Sequence, residues 1–245
     1  MNRHLCIDCG NTQVKAALFS DDVIVSRVQA GYDDLSPLIG MLQDSSIGAA
    51  LLSSTTHRSE EVLAAVRPLL PCRIEELTHE TALPLSIAYR TPTTLGRDRI
   101  AAAVGAWEMF PGCNLLVVDA GTCVTMDVVT GDGTYLGGNI APGVDMRLRA
   151  MHEFTSKLPQ VDARGEVPLV GYDTETAIRA GAVLGAVNEI DGMAQKLRAM
   201  LRQLKVIVTG GAATLLSEYL GGESCTVEPD LVLRGLNAII MFNEE

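Results

Sequence analysis

The sequence predicts an α/β fold made of two copies of one domain. Strand-like and helix-like patterns alternate along all 245 residues. A short signature of apolar strand, Asp, any residue, Gly, Thr and second apolar strand occurs at Asp8-Gly10-Thr12 and again at Asp119-Gly121-Thr122. Each occurrence opens a run of three predicted strands, so the repeat lies at the level of whole domains. The expected division is residues 1–112 and 113–245, with the two Asp-Gly-Thr turns facing each other across a cleft.

Taken in order, residues 3–9, 13–19 and 22–28 read as three short strands, separated by the Asn11 region and by Ser20-Asp21-Asp22. Residues 34–43 and 58–67 carry helical patterns, each followed by a strand, at 47–53 and 73–77. Leu95 to Phe110 reads as a helix, 113–119 as a buried strand, and 122–130 and 133–140 as its two followers. A helix begins after Pro142-Gly143, where proline suits a helix start. Residues 155–171 form an irregular connection. A long helix then runs from Asp173 to about Leu201, with Asp173 or Thr174 as its cap and Glu175 in its first turn. Apolar or small residues recur on it at Ala177, Gly181, Leu184, Asn188, Ile190, Met193, Leu197 and Met200. Its Ala- and Gly-rich first half suits close helix packing, internal or across a dimer. A strand at 205–208, a short helix at 212–219, a strand at 225–227 and a helix at 230–242 close the chain.

Composition narrows the function. Hydrophobic residues make up 47% and aromatics only 4%, so cores rest on Ala, Val, Leu, Ile and Met. A net charge of −11 argues against sequence-independent nucleic-acid binding, which needs Lys and Arg on phosphates. A single nucleotide is still compatible, because backbone amides and a divalent cation can hold its phosphates. No apolar run reaches membrane-spanning length, and Asp8 interrupts the place where a signal peptide needs apolar residues, so a cytoplasmic location is expected. Cys6 and Cys9 are three apart on a predicted strand and point to opposite faces, so the six cysteines are expected as free thiols. The four histidines show no metal spacing.

The chemistry concentrates in a few motifs. In Asp8-x-Gly10-Asn11-Thr12, with Lys15 after it, glycine permits a tight turn whose amides converge on an anion. The strand-end acid helps such a site only through a cation lying between carboxylate and phosphate. One such motif is a common hairpin, whereas two copies in phase point to a grip on a phosphate chain from both sides. Thr209-Gly210-Gly211, between strand and helix, can lay a nucleoside against bare backbone, or be a routine turn. Gly96-Arg97-Asp98-Arg99 enters an apolar helix. Asp98 can serve as a helix cap, or as the carboxylate that takes a hydroxyl proton in phosphoryl transfer, with the arginines as nearby cations.

The ordered set Asp8-x-Gly10-Asn11-Thr12 with Lys15, Tyr89, Gly96-x-Asp98-Arg99, Asp119-x-Gly121-Thr122-x-x-Thr125-x-Asp127, Gly137-Gly138-x-Ile140-x-Pro142-Gly143, Gly171-x-x-Thr174 with Gly181, and Thr209-Gly210-Gly211 resembles the type III pantothenate kinases. Those kinases are part of the larger group of actin, sugar kinases and chaperone ATPases. The resemblance implies two duplicated ribonuclease H-like (actin-like ATPase) domains with a cleft between them. It implies ATP-dependent phosphorylation of pantothenate to 4'-phosphopantothenate, the first step toward coenzyme A, with Mg²⁺ and a monovalent cation, K⁺ or NH4⁺. Asp8, Gly10, Asn11, Thr12 and Lys15 would form the first phosphate turn and position Mg²⁺. Asp98 would be the base. Tyr89, Gly96, Arg97 and Arg99 would line the pantothenate pocket. Asp119 would bind the monovalent cation, Thr122 would contact ATP, and Gly210 and Gly211 would help hold the nucleotide. Thr174 would reach pantothenate from the partner subunit of a homodimer. Tyr172-Asp173 stands where the family usually has a Lys-Asn-like pair. The alternatives are a related small-molecule kinase with another acceptor and a non-catalytic nucleotide-binding regulator.

Overall fold

The computed structural model describes residues 3–43, 46–221 and 225–244. The chain forms two compact units. One comprises Met1–Gly112, Asp132–Leu136 and Asp230–Glu245, and the other Cys113–Gly131 and Gly137–Pro229.

In the first unit, β1 (Arg3–Cys9), β2 (Val14–Ser20) and β3 (Val23–Ala30) form an antiparallel meander. After α1 (Ser36–Leu42), β4 (Ile47–Ser54) returns parallel to β1. After α2 (Ser59–Val66), β5 (Ile74–Glu76) joins parallel to β4, giving the order β3-β2-β1-β4-β5. Cys9 belongs to the core cluster with Leu5, Ile7, Leu38, Leu52 and Leu63, whereas Cys6, also buried, does not. This is the face alternation expected of a strand, and all six cysteines are free. A two-residue strand, β6 (Ser86–Ile87), has no signal in the sequence pattern because two residues carry no period.

The helix α3 (Arg97–Met109) is buried from Arg99 to Ala106. A helix this uniformly small and apolar belongs in an interior. Its neighbour is the last helix, α7 (Leu231–Glu244), and their backbones nearly touch: a Cβ on Gly235 would overlap the Ala101 carbonyl, and one on Gly105 the Leu231 carbonyl. Here the contiguous division at 112/113 needs correcting. The closing helix was expected in the second half, yet its apolar face, with Leu231, Leu233, Leu236 and Ile239 buried, is covered by the first unit. Polar contacts fix the register: Asn237 Oδ1 lies 2.9 Å from His4 Nδ1, Asn237 Nδ2 donates to the Asp21 carbonyl at 2.8 Å, and Arg27 pairs with Asp230 at 2.7 Å.

The second unit repeats the plan. β7 (Asn114–Ala120) and β8 (Cys123–Val129) are antiparallel, and β9 (Thr134–Pro142) follows. β10 (Leu204–Thr209) runs parallel to β7, and β11 (Thr226–Val227) parallel to β10, giving β11-β10-β7-β8-β9. Numbered within each unit, the order is the same, 3-2-1-4-5. β9 starts in the first unit, where β6 pairs with its Thr134 and Tyr135. α4 (Val144–Glu153), α5 (Thr174–Met200) and α6 (Ala213–Ser217) complete the unit.

Asp173 caps α5, settling the choice with Thr174: its Oδ1 accepts from Thr176 N at 2.8 Å in a reciprocal capping box. The face of α5 that packs inward carries Ile178, Val183, Ala186, Val187, Ile190, Ala194 and Leu197. Ala177, Gly181 and Asn188, from the stripe expected to pack, lie exposed instead.

Candidate active site

The first turn follows β1. Asp8 is the penultimate residue of that strand, partly buried, with Lys15 opposite it on β2 and Ser53 beside it on β4. Ser53 is fully buried, and its hydroxyl donates to Asp8 Oδ1 at 2.6 Å. Burial raises the Asp8 carboxyl from 3.8 to about 6. The Ser53 hydrogen bond opposes the shift, the Asp98 charge adds to it, and Lys15 lowers it. Asp8 and Asp98 therefore feel each other, although ninety positions apart in the chain.

Gly10 closes the turn, its N–H donating to the Gln13 carbonyl at 3.1 Å. Asn11 and Thr12 stand exposed at its tip, and Lys15 is partly exposed. Two contacts brace the turn from beneath. Thr55 N donates to the Cys9 carbonyl at 3.1 Å, and Tyr32 OH donates to the Gly10 carbonyl at 2.6 Å.

Asp98 enters from the start of α3. Gly96 is the helix N-cap residue, and Asp98 Oδ1 accepts from the next amide, Arg99 N, at 2.8 Å. Asp98 is thus in the first turn, where the helix dipole favours an anion, but does not itself cap the helix. A side chain on Gly96 would press on Asp98 Oδ1, so glycine there keeps the carboxylate's approach open. The buried Arg99 guanidinium lies 5.9 Å from the Tyr89 ring centre, and Tyr89 meets the buried Tyr135 edge to face at 6.3 Å. Tyr89, Gly96, Asp98 and Arg99 thus share one neighbourhood. Arg97 turns its guanidinium to the carbonyls of Leu95, Thr93 and Pro92, tying down the 3-10 turn ahead of the helix.

The second turn, after β7, is built to the same plan. Asp119 lies beside Thr125 on β8 and beside Thr209 on β10. The Gly121 N–H donates to the Cys123 carbonyl at 2.9 Å, and Thr122 is exposed at the tip. Ala212 N donates to the Ala120 carbonyl at 2.9 Å, as Thr55 N does to Cys9. Gly210 has φ +92°, and a Cβ there would strike Asp119 Oδ1 and the Ala120 backbone. The Thr-Gly-Gly segment is therefore a close cover on Asp119, and Gly211 beside it is exposed. Gly143 packs against the backbone of the turn itself, at Gly121 and Thr122, its N–H donating to the Thr122 carbonyl at 3.1 Å. Thr174 is the exposed first residue of α5.

The model of the family of type III pantothenate kinases matches residues 4–196. A type III pantothenate kinase of Phocaeicola vulgatus is 40% identical over 242 residues, covering 99% of each chain. The chain belongs to the type III pantothenate kinase family. Another such kinase, of Porphyromonas gingivalis, is 38% identical over 246 residues, covering 99% of this chain and all of the relative. Among solved structures, a Campylobacter jejuni protein assigned to the Baf family of transcriptional activators superposes with TM-score 0.64 at 20% identity, covering 98% of both chains. The Clostridium difficile activator of 2-hydroxyisocaproyl-CoA dehydratase, solved with bound ADPNP, gives 0.54 at 12% identity, covering 99% of this chain and 95% of the other. At such identities the likeness speaks for the fold alone, a mixed α/β one.

Two features of this pantothenate kinase family member, Ser53 and Tyr32, lay outside the motif reading. Ser53, like Thr209 of the Thr-Gly-Gly motif, sits directly beside the motif acid on the neighbouring parallel strand, and both are buried. Tyr32 supports the first turn from a loop after β3. A signal for Ser53 exists in the run Ser53-Ser54-Thr55-Thr56 at the end of a predicted strand. Tyr32 has none, because its role depends on the pairing of β2 with β3.

Proposed function

We propose that this chain transfers the γ-phosphoryl group of ATP to the 4'-hydroxyl of pantothenate. The observation that carries the proposal is the convergence of Asp8 and Asp98 within one unit of a family member. Asp8 is held by Ser53 at a phosphate-type turn, and Asp98 stands at a helix start beside Tyr89 and Arg99. In the reaction the pantothenate oxygen bonds to phosphorus, the bond to the ADP oxygen breaks, and the hydroxyl proton passes to Asp98. Gly10, Asn11, Thr12 and Lys15 hold the phosphates by amides and charge, while Thr122, Gly210 and Gly211 take the nucleotide on the second turn.

The residues suit a divalent cation of the Mg²⁺ type. Such an ion is usually bound by one or two carboxylates plus substrate phosphates, without an all-protein cage. One partly buried carboxylate, Asp8, sits at the first turn, oriented by Ser53. When bound, the cation supplies charge neutralisation between Asp8 and the phosphate oxygens. Asp119, rimmed by backbone of Ala120 and Gly210, suits a monovalent cation, K⁺ or NH4⁺.

A homodimer fits the surface. Leu169, Val170 and Tyr172 are each more than 65% exposed just ahead of α5, and Ala177 and Gly181 are exposed on it. Apolar side chains grouped in this way mark interfaces. In that dimer Thr174, exposed at the start of α5, would be the residue offered to the partner's pocket. No described helix is long and apolar enough to cross a membrane.

The test is ATP-dependent formation of phosphopantothenate by the purified chain, with and without K⁺, alongside sugars and acetate as acceptors. Turnover of pantothenate alone supports the assignment. Turnover of another acceptor would move it to a related kinase. Nucleotide binding with no turnover under any cation condition would favour a regulator.

A further inference from the structure

Tyr32 is buried, with 7% of its surface exposed, and its hydroxyl donates to the Gly10 carbonyl at 2.6 Å. Its ring is held from the other side. The Arg58 guanidinium lies 4.4 Å from the ring centre and is itself fixed by Glu61, at 3.1 and 3.2 Å, and by Asp33 at 3.5 Å. The Cys9 thiol is a further hydrogen-bond partner of the same hydroxyl. Nothing about catalysis by Asp8 or Asp98 requires an aromatic hydroxyl at this place.

The contact has a directional consequence. The peptide joining Gly10 to Asn11 is planar, and no cis peptide occurs among the described residues. In a trans peptide the carbonyl and the following N–H point in opposite directions. Fixing the Gly10 oxygen inward on Tyr32 therefore turns the Asn11 N–H outward, on the exposed side of the turn. We infer that Tyr32 is a positioning residue of the first turn: its hydrogen bond to the Gly10 carbonyl aims the Asn11 amide at a phosphate oxygen of the bound nucleotide. The inference rests on the reading of this turn as a phosphate site and adds to it the part that orients the amide before ligand arrives. An amide aimed in advance costs no reorientation on binding.

Tyr32→Phe removes the donor and keeps the ring under Arg58. The measurement is calorimetric binding of adenosine and of ADPNP with Mg²⁺ to the purified full chain, with melting temperatures taken in parallel. ADPNP is expected to bind about tenfold more weakly, the worth of one hydrogen bond to a poised amide, with adenosine affinity unchanged. The KM for ATP should rise while that for pantothenate stays put. Asn11→Pro deletes the amide itself and is expected to show the same phosphate-dependent loss, and the double variant no more than the larger single loss. Equal weakening of adenosine and ADPNP would reduce Tyr32 to a general support of the fold and overturn the inference. So would unchanged ADPNP binding in Tyr32→Phe. If the unaltered chain binds adenosine and ADPNP equally well, the phosphate reading of the turn itself is wrong and the role of Tyr32 falls with it.

Discussion

Ser53 donates its hydroxyl proton to Asp8 Oδ1 across 2.6 Å from the neighbouring parallel strand. Thr209 holds the same register beside Asp119 in the second unit. The duplication thus extends past the glycine turns to the residue that flanks each acid. A carboxylate with one oxygen committed to a buried hydroxyl has its orientation set before any cation or phosphate arrives.

Asp8→Asn should stabilise the protein at neutral pH while abolishing phosphoryl transfer. Burial, with Asp98 nearby, lifts the Asp8 carboxyl from 3.8 to about 6. Between about pH 4 and pH 6 the folded chain keeps a proton that the unfolded chain has released. That contribution is complete below the unfolded value and is lost as pH climbs through the folded one. At pH 7.5 the fold carries an ionised, poorly hydrated Asp8, at a cost of about 2–3 kcal/mol at most. Asparagine removes the cost and can still accept from Ser53. Thermal melts from pH 4 to pH 8 should show the variant gaining at neutral pH and matching the parent near pH 4. An equal or lower melting temperature at pH 7.5 would contradict the burial argument.

Asp98→Asn should lower kcat by about 10² to 10⁴, the range for removing a general base, with little change in ATP affinity. Asparagine can still accept from Arg99 N, so the start of α3 should survive. Steady-state kinetics with a nucleotide-binding measurement separates the two effects, and a variant turning over at the parental rate would take Asp98 out of the mechanism.

Gly235→Ala should cost stability and activity together. The added methyl would overlap the Ala101 carbonyl where α7 crosses α3. Relief demands that the helices move apart, for about 1–3 kcal/mol. Since α3 carries Asp98 in its first turn, the displacement should also reduce kcat. Denaturant unfolding and kinetics on one preparation test this, and a variant as stable and active as its parent would show the crossing to be slack.

Asp173→Ala should lower the melting temperature at neutral pH, and less in acid. The backbone and side-chain hydrogen bonds from Thr176 hold the Asp173 carboxyl below 3.8. A depressed carboxyl stabilises above its unfolded value, and the effect is lost as pH falls through the folded one. Parent and variant melts should therefore converge toward pH 3. A gap that is the same at pH 7 and pH 3 would mean the loss came from packing.

Much was legible in one dimension because it is written locally. Periodicity two and three-to-four, Gly and Pro punctuation and the repeated Asp-Gly-Thr signature determined the strand and helix succession, the duplication, the free cysteines and the two glycine turns. Family motifs spanning most of the chain determined the candidate residues. Tertiary structure decided what depends on meetings between distant segments. It drew α7 into the first unit, where Gly235 meets Ala101 and Gly105 of α3 with no side chain holding the two helix backbones apart. It exposed the Ala177 and Gly181 side of α5 because the opposite side carries the larger apolar residues. It set Ser53 beside Asp8, and Tyr32 under Gly10, through strand pairings that no single stretch of sequence encodes. A hydrogen bond needs two groups at one place, and register, fixed by the folded sheet, determines which two those are.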